Sequence, residues 1–169
     1  KNGNVAAFVL PQFINQDDHL AFVKNEYNGV VIESGFADKQ FFYGKGAGSF
    51  PTASAVLSDI SALRYGYKYE YKKLYHHQPH ELTDDFFLNV YISFDDIEAV
   101  PKEKFEWIEE WHAQEGRKYL SGVIAFSKLK SSNWWKENGI SLILLPDPVI
   151  EEVASKKIKK KSLELAGIL

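Results

Sequence analysis

Cysteine and methionine are both absent from the 169 residues of this chain. Without cysteine there is no disulfide and no thiolate metal site, and nothing marks the redox compartment. The missing methionine, initiator included, reads as a piece of a longer protein, or as modified methionines left out of the sequence. No apolar run approaches the ~18 residues a membrane span needs, and no signal-type segment opens the chain. Excess positive charge is lacking too. A net charge of −3 and a pI near 6.0 exclude the basic face that nucleic acid requires. What is present is 45% hydrophobic and 15% aromatic residues, enough for a core in one or two small domains.

The chain is organised around residues 44–65, GKGAGSFPTASAVLSDISALRY. Gly44, Gly46 and Gly48 follow the apolar run Phe41, Phe42, Tyr43 and precede Pro51. That order suits a strand passing through an open loop into a helix, with Ser49 available as a cap and Pro51 in the first turn. Ala53, Val56, Leu57, Ile60 and Leu63 recur at steps of three and four, which predicts one buried stripe, and Gly66 is placed to end the helix. A helix N-terminus behind glycines offers free N–H groups and a positive dipole end to a phosphate, carboxylate or carboxamide oxygen. The spacing alone is not a dinucleotide fingerprint, since Ser49 stands where GxGxxG needs its third glycine, and no GK[ST] makes it a Walker loop. On spacing, a ligand loop and a turn needed only for packing both remain open.

The residue types narrow this. Phe42 to Gly48, then Pro51, Thr52, Ala53, Ser54, Ala55, Val56 and Asp59, resemble the motif FYGRGAGxxPTASAVxxD that closes the catalytic region of monofunctional homoserine dehydrogenases. Upstream, Pro11, Ile14, Asp17, Leu20, Ala21, Val23, Asn28 and Glu33 fall on the family's PTxIPKDHPLAxVxxxxNAIxVEG. Asn15 and His19 replace two prolines, Asp18 a histidine, and Lys45 the arginine of the closing motif, keeping its charge without its fork.

This resemblance implies an NAD(P)-dependent enzyme of threonine and methionine biosynthesis, interconverting L-homoserine and L-aspartate 4-semialdehyde, a small amino-acid substrate. It implies a cytoplasmic homodimer with no membrane or nucleic-acid partner. Gly44, Gly46, Ala47 and Gly48, with Thr52, would line the nicotinamide side of the site. The Rossmann domain that binds most of the NADP or NAD, and the catalytic lysine and acids, would lie upstream, so no catalytic residue and no metal ligand is assigned here. The alternative is a non-catalytic regulatory and dimerisation fragment that binds an amino-acid effector.

The local readings follow the chain. Residues 5–14 read as an apolar strand bent at Pro11. Asp17 is placed to cap a short helix at Leu20, Ala21 and Val23. Asn28 and Gly29 read as a turn into the strand Val30, Val31, Ile32, and residues 34–39 as a polar turn before residues 40–43. In the resembling family these strands build the subunit-pairing sheet. Val30, Ile32, Phe41 and Tyr43 would then be an interface.

Residues 66–85 read as a linker. His76, His77 and His80 lack the Glu of a zincin and read as solvated. Residues 86–94 alternate as a strand. Pro101 then opens a predicted helix with Phe105, Ile108, Trp111 and His112 on one stripe, Glu106, Glu109 and Glu110 on its solvated side, and Gly116 as its stop. A strand over 119–126, a short helix over 131–139 holding Trp134 and Trp135, and a strand over 140–145 stopped by Pro146 and Pro148 complete the pattern. The fold class is α+β: the end of a catalytic and dimerisation sheet with its returning helix over 1–65, a linker over 66–85, a ferredoxin-like, ACT-like regulatory domain over 86–150, and a helix or tail over 151–169. The effector-contacting glycine of ACT modules is missing from residues 95–100.

Overall fold

A computed structural model describes residues 4–67, 80–114 and 116–150. It divides into two compact units, residues 1–13 with 80–169, and residues 14–79. Both are mixed: antiparallel sheets with helices, an α+β arrangement. His76, His77 and the tail over 151–169 lie outside the described residues.

In the unit of residues 14–79, strands β1 (Tyr27–Ser34) and β2 (Asp38–Lys45) form an antiparallel hairpin, followed by helix α1 (Ser49–Arg64). Asn28 and Gly29 lie inside β1 and are not a turn. The chain reverses just before them, where Asn25 takes φ 56° and the Tyr27 amide donates to the Lys24 carbonyl. Gly29 is glycine for packing: a Cβ there would stand 2.7 Å from Val23 and 2.9 Å from Phe41. The short helix is a 3₁₀ turn, His19–Phe22, capped by Asp18 in place of Asp17; the Leu20 amide donates to Asp18 Oδ1 at 2.8 Å.

Helix α1 ends as its sequence predicts. Gly66 takes φ 72°, its amide donates to Leu63 O and the Tyr67 amide to Ala62 O, the paired bonds of a Schellman motif. The predicted burial of its stripe is not found. No residue of α1 is buried; Leu63 is 71% exposed and Phe50 89%. The spacing is that of a packed helix, but no residue of it is buried among the described residues.

In the unit of residues 1–13 with 80–169, β3 (Phe87–Phe94), β4 (Phe105–Gln114), β5 (Arg117–Ala125) and β6 (Ile140–Ile150) form one sheet in the order β4-β5-β3-β6, every neighbour antiparallel. Alternate residues Leu88, Val90 and Ile92 of β3 and Leu120 and Ile124 of β5 are fully buried on one face, beneath Leu129 of the short helix α2 (Phe126–Lys130). Trp134 packs against this core from the 3₁₀ turn Trp134–Lys136, and the Trp135 indole donates to the Leu129 and Ser132 carbonyls, so both tryptophans are packing residues.

The helix predicted after Pro101 is the strand β4. Its register against β5 slips between Phe105 and Trp107 and again between Ile108 and Glu110. Each bulge inserts a residue into a period-two pattern. Core-facing residues therefore recur at Phe105, Ile108 and Trp111, the step of three that a helix would show. Gly116, at φ 86°, turns the β4-β5 hairpin where a helix stop was predicted.

The prolines of β6 do not stop it either. Val90 pairs with Leu144 but Leu88 with Val149, so residues 145–148 bulge outward and the strand resumes. On the outer edge of β6, Leu144 exchanges hydrogen bonds with Pro11 and Phe13, so residues 5–13 are an extended edge segment held by single bridges at Val5 and Gln12, not a full strand.

Candidate functional site

β2 delivers Gly44 in register with Asn28 of β1, the loop runs through Gly46, Ala47 and Gly48, and α1 starts at Ser49. The helix cap is Gly48, at φ 112° and ψ 156°, with no side-chain cap, so Ser49 is the first helical residue and not the cap. That φ lies where only glycine is at ease. Pro51 sits in the first turn, as predicted. Thr52 closes the first intrahelical bond to the Gly48 carbonyl and donates its hydroxyl to the same oxygen at 2.8 Å. The amides of Ser49 and Phe50 precede that bond and have no partner among the described residues. They point a pair of donors, with the positive end of a sixteen-residue helix, toward the loop.

The three glycines are glycine for different reasons. Gly48 needs its positive φ. Gly46 does not; a Cβ at Gly46 would run into the amide Nδ2 of Asn28. Asn28 therefore buttresses the loop from the neighbouring strand, a contact that sequence spacing cannot show, because it depends on hairpin register. Around Gly44 nothing lies within 4 Å of the position a Cβ would take. Packing among the described residues gives no reason for glycine there; open backbone followed by two free helix amides does, if a ligand approaches.

Lys45 lies just outside this opening. Its ammonium pairs with Glu26 Oε1 at 2.7 Å and lies 5.1 Å from the centre of the Tyr27 ring, which stacks on Tyr43. The hydrogen bond to Lys45 holds the Glu26 carboxyl below its usual range, and the same bond, with the Tyr27 charge second, raises Lys45. Both side chains are solvent-facing, so the pair is screened and chiefly directs the lysine head toward β1. Of the predicted site residues, Gly44, Gly46, Ala47, Gly48 and Thr52 all fall in this one loop and first helical turn, and none carries an acid or base. Among the described residues no cluster of three metal-ligating side chains is found, and no helix is long and apolar enough to cross a membrane.

Comparison with known proteins finds likenesses to the N-terminal part of the chain. The homoserine dehydrogenase family model matches residues 2–61. A homoserine dehydrogenase of Synechocystis is 48% identical over 52 residues, 31% of this chain and 12% of that protein. The Mycobacterium leprae enzyme is 45% identical over 56 residues, 33% of this chain and 13% of its own length, and the Bacillus subtilis enzyme 40% identical over 55 residues, 32% and 13%. The matching segment thus spans about an eighth of the length of these curated relatives.

Proposed function

We propose, from the match of residues 2–61 to the homoserine dehydrogenase family model, that this chain is part of an enzyme oxidising L-homoserine to L-aspartate 4-semialdehyde with NADP or NAD, releasing NAD(P)H and a proton. The observation that carries the loop's role is Gly44: bare backbone, with no described residue near its Cβ position, in the loop that leads to the free Ser49 and Phe50 amides. Gly44, Gly46, Ala47, Gly48 and Thr52 would form the wall against which a nicotinamide rests. The bound cofactor supplies the hydride chemistry. The two amides offer hydrogen bonds to an acceptor oxygen, and the Thr52 hydroxyl, its proton committed to Gly48, can only accept. Since none of these groups titrates, proton transfer falls to residues outside the loop. The complete protein, assayed for homoserine-dependent reduction of NADP and NAD, tests the reading. Turnover with at least one cofactor is expected; none by folded protein with either would refute it.

Residues 86–150 fit an ACT-like regulatory sheet. The antiparallel order β4-β5-β3-β6, with β5 inserted between β3 and β4, is what a split crossover produces. Two 3₁₀ turns, Ile97–Ala99 and Lys102–Lys104, replace the first crossover helix of that pattern. Residues 1–65 would be the closing part of the catalytic and dimerisation region, with 66–85 as a linker and the setting cytoplasmic.

Homodimerisation belongs to the same proposal. The register places Val30, Ile32 and Phe42 together on one hairpin face, 54%, 47% and 53% exposed. Phe41 and Tyr43 lie on the opposite face, where Phe41 meets His19 and Tyr43 meets Tyr27. An isolated two-stranded hairpin is marginal without cover, and a C₂ pairing would supply the same cover to both copies. Light scattering should give a dimeric mass. Replacing Ile32 and Phe42 by lysine should halve it, whereas a monomer before substitution would remove the interface.

A further inference from the structure

A recess of about 400 Å³, within the usual size of small-molecule sites, lies beside the edge segment of residues 5–13. Its floor is apolar. Leu129 of α2 is fully buried, Phe126 stacks on Phe86 at 4.7 Å and meets Phe8 at 5.6 Å, and the Trp135 ring is fixed by its two indole hydrogen bonds. One wall is bare backbone. Residues 7–10 line the recess, and between the bridges at Val5 and Gln12 no amide or carbonyl of residues 6–10 has a hydrogen-bond partner among the described residues. Phe8 and Leu10 pack on the core while Val9 between them is 97% exposed, so side chains and not a ladder hold this extended wall in place.

The mouth is cationic. Lys130 and Lys136 both line it, on the solvent side. The Lys136 ammonium lies 4.9 Å from the centre of the Trp135 ring and has no ion pair among the described residues, while Lys130 has only a 3.5 Å contact with the half-exposed Asp84. Two ammoniums therefore face one carboxylate above an apolar floor. A neutral apolar ligand would leave the excess positive charge unanswered, and an inorganic anion would leave the floor unfilled.

We propose that this recess binds an anionic alkyl amphiphile, a medium-chain carboxylate. Its chain lies on Phe126, Leu129 and Trp135; its head pairs with Lys136 and draws Lys130 away from Asp84. The site is built wholly within the unit of residues 1–13 with 80–169 and is independent of the dehydrogenase reading, which is tested at the glycine loop and by turnover.

Titration calorimetry of the whole chain with butanoate, hexanoate, octanoate and decanoate, and with octanol, octylammonium and acetate as partial ligands, tests it. Octanoate or decanoate should saturate at or below about 1 mM, and affinity should rise about two- to fourfold per methylene from butanoate to octanoate, the gain for burying each CH₂. Each partial ligand should bind about tenfold weaker or more. The Lys130→Gln/Lys136→Gln double variant should lose about tenfold, whereas Lys104→Gln, outside the recess, should lose nothing. Asp84→Asn should tighten octanoate about threefold, because it frees Lys130 and removes a like charge, a gain that a merely structural Asp84 would not give. Ala7→Phe, which fills the recess from an exposed position, should abolish saturation with unchanged circular dichroism. Absence of saturation by octanoate and decanoate would overturn the proposal. So would an affinity independent of chain length, octylammonium binding as tightly as octanoate, or folded Ala7→Phe binding unchanged.

Discussion

Gly46→Val in the complete protein should lower kcat/KM for homoserine oxidation about a hundredfold, the scale of loss when a site wall shifts by about 1 Å. The cause is steric. Gly46 has no positive φ to preserve, contrary to what a glycine between two loop glycines suggests, but a Cβ there meets the Asn28 side-chain amide, so a branched residue displaces Asn28 from the loop it buttresses or shifts the loop itself. Gly46→Ala tests the cause, because its loss should be largely recovered in the Asn28→Ala/Gly46→Ala double variant, where the obstacle is gone. Equal kinetic constants for Gly46→Val and the parent would leave the loop as packing alone. Damage to Gly46→Ala that Asn28→Ala does not relieve would instead place the clash elsewhere.

Gly122→Val should be the most damaging single change in the four-stranded sheet, at about 3 kcal/mol. In the β4-β5 pair the bulged backbone of β4 lies directly on Gly122: a Cβ would strike the Trp107 carbonyl oxygen and stand 3.1 Å from the Ile108 Cα. Both are main-chain atoms, so no rotamer change relieves the overlap, and the bulge that brings Ile108 onto the core must open. Against a total stability of about 5–15 kcal/mol, such a loss moves a denaturation midpoint far outside error. Gly122→Ala should show a smaller loss of the same sign. A shift of under about 0.5 kcal/mol for valine, the range of neutral surface changes, would contradict the packing of β4 on β5.

The comparison between sequence and structure turns on the same bulges. Strands with unbroken alternation, 86–94 and 119–126, are legible from their residues because Leu88, Val90 and Ile92 alternate into the core. β4 is not, because its two inserted residues turn period two into period three, and Phe105, Ile108 and Trp111 then imitate a helix stripe. Helix α1 is legible for the opposite reason: Pro51 in its first turn and Gly66 at its end are local signals that need no partner. Whether its stripe is buried is decided by something other than its own residues, and among the described residues the stripe stays exposed.

Within the candidate site, the loop and its five residues are legible from the motif, and their neighbours are not. Asn28 matters through hairpin register, which places it against Gly46 from eighteen positions away in the chain. Gly29 carries a turn signal in sequence, yet its role is to admit Val23, Phe41 and Leu20 above β1. Pro146 and Pro148 carry a stop signal, yet an edge strand can bulge around them and resume. In each case local chemistry names the constraint, and a long-range contact decides how it is met.

The central claim is that residues 44–52 form a wall of a nicotinamide site. Amide hydrogen exchange on the complete protein, with and without NADP or NAD together with homoserine, reads that wall directly. Protection confined to the Gly44, Gly46, Ala47, Gly48, Ser49 and Phe50 amides, absent in the Gly46→Val variant, is the predicted result. Saturating cofactor and homoserine that leave those amides exchanging as fast as in the free protein would contradict it.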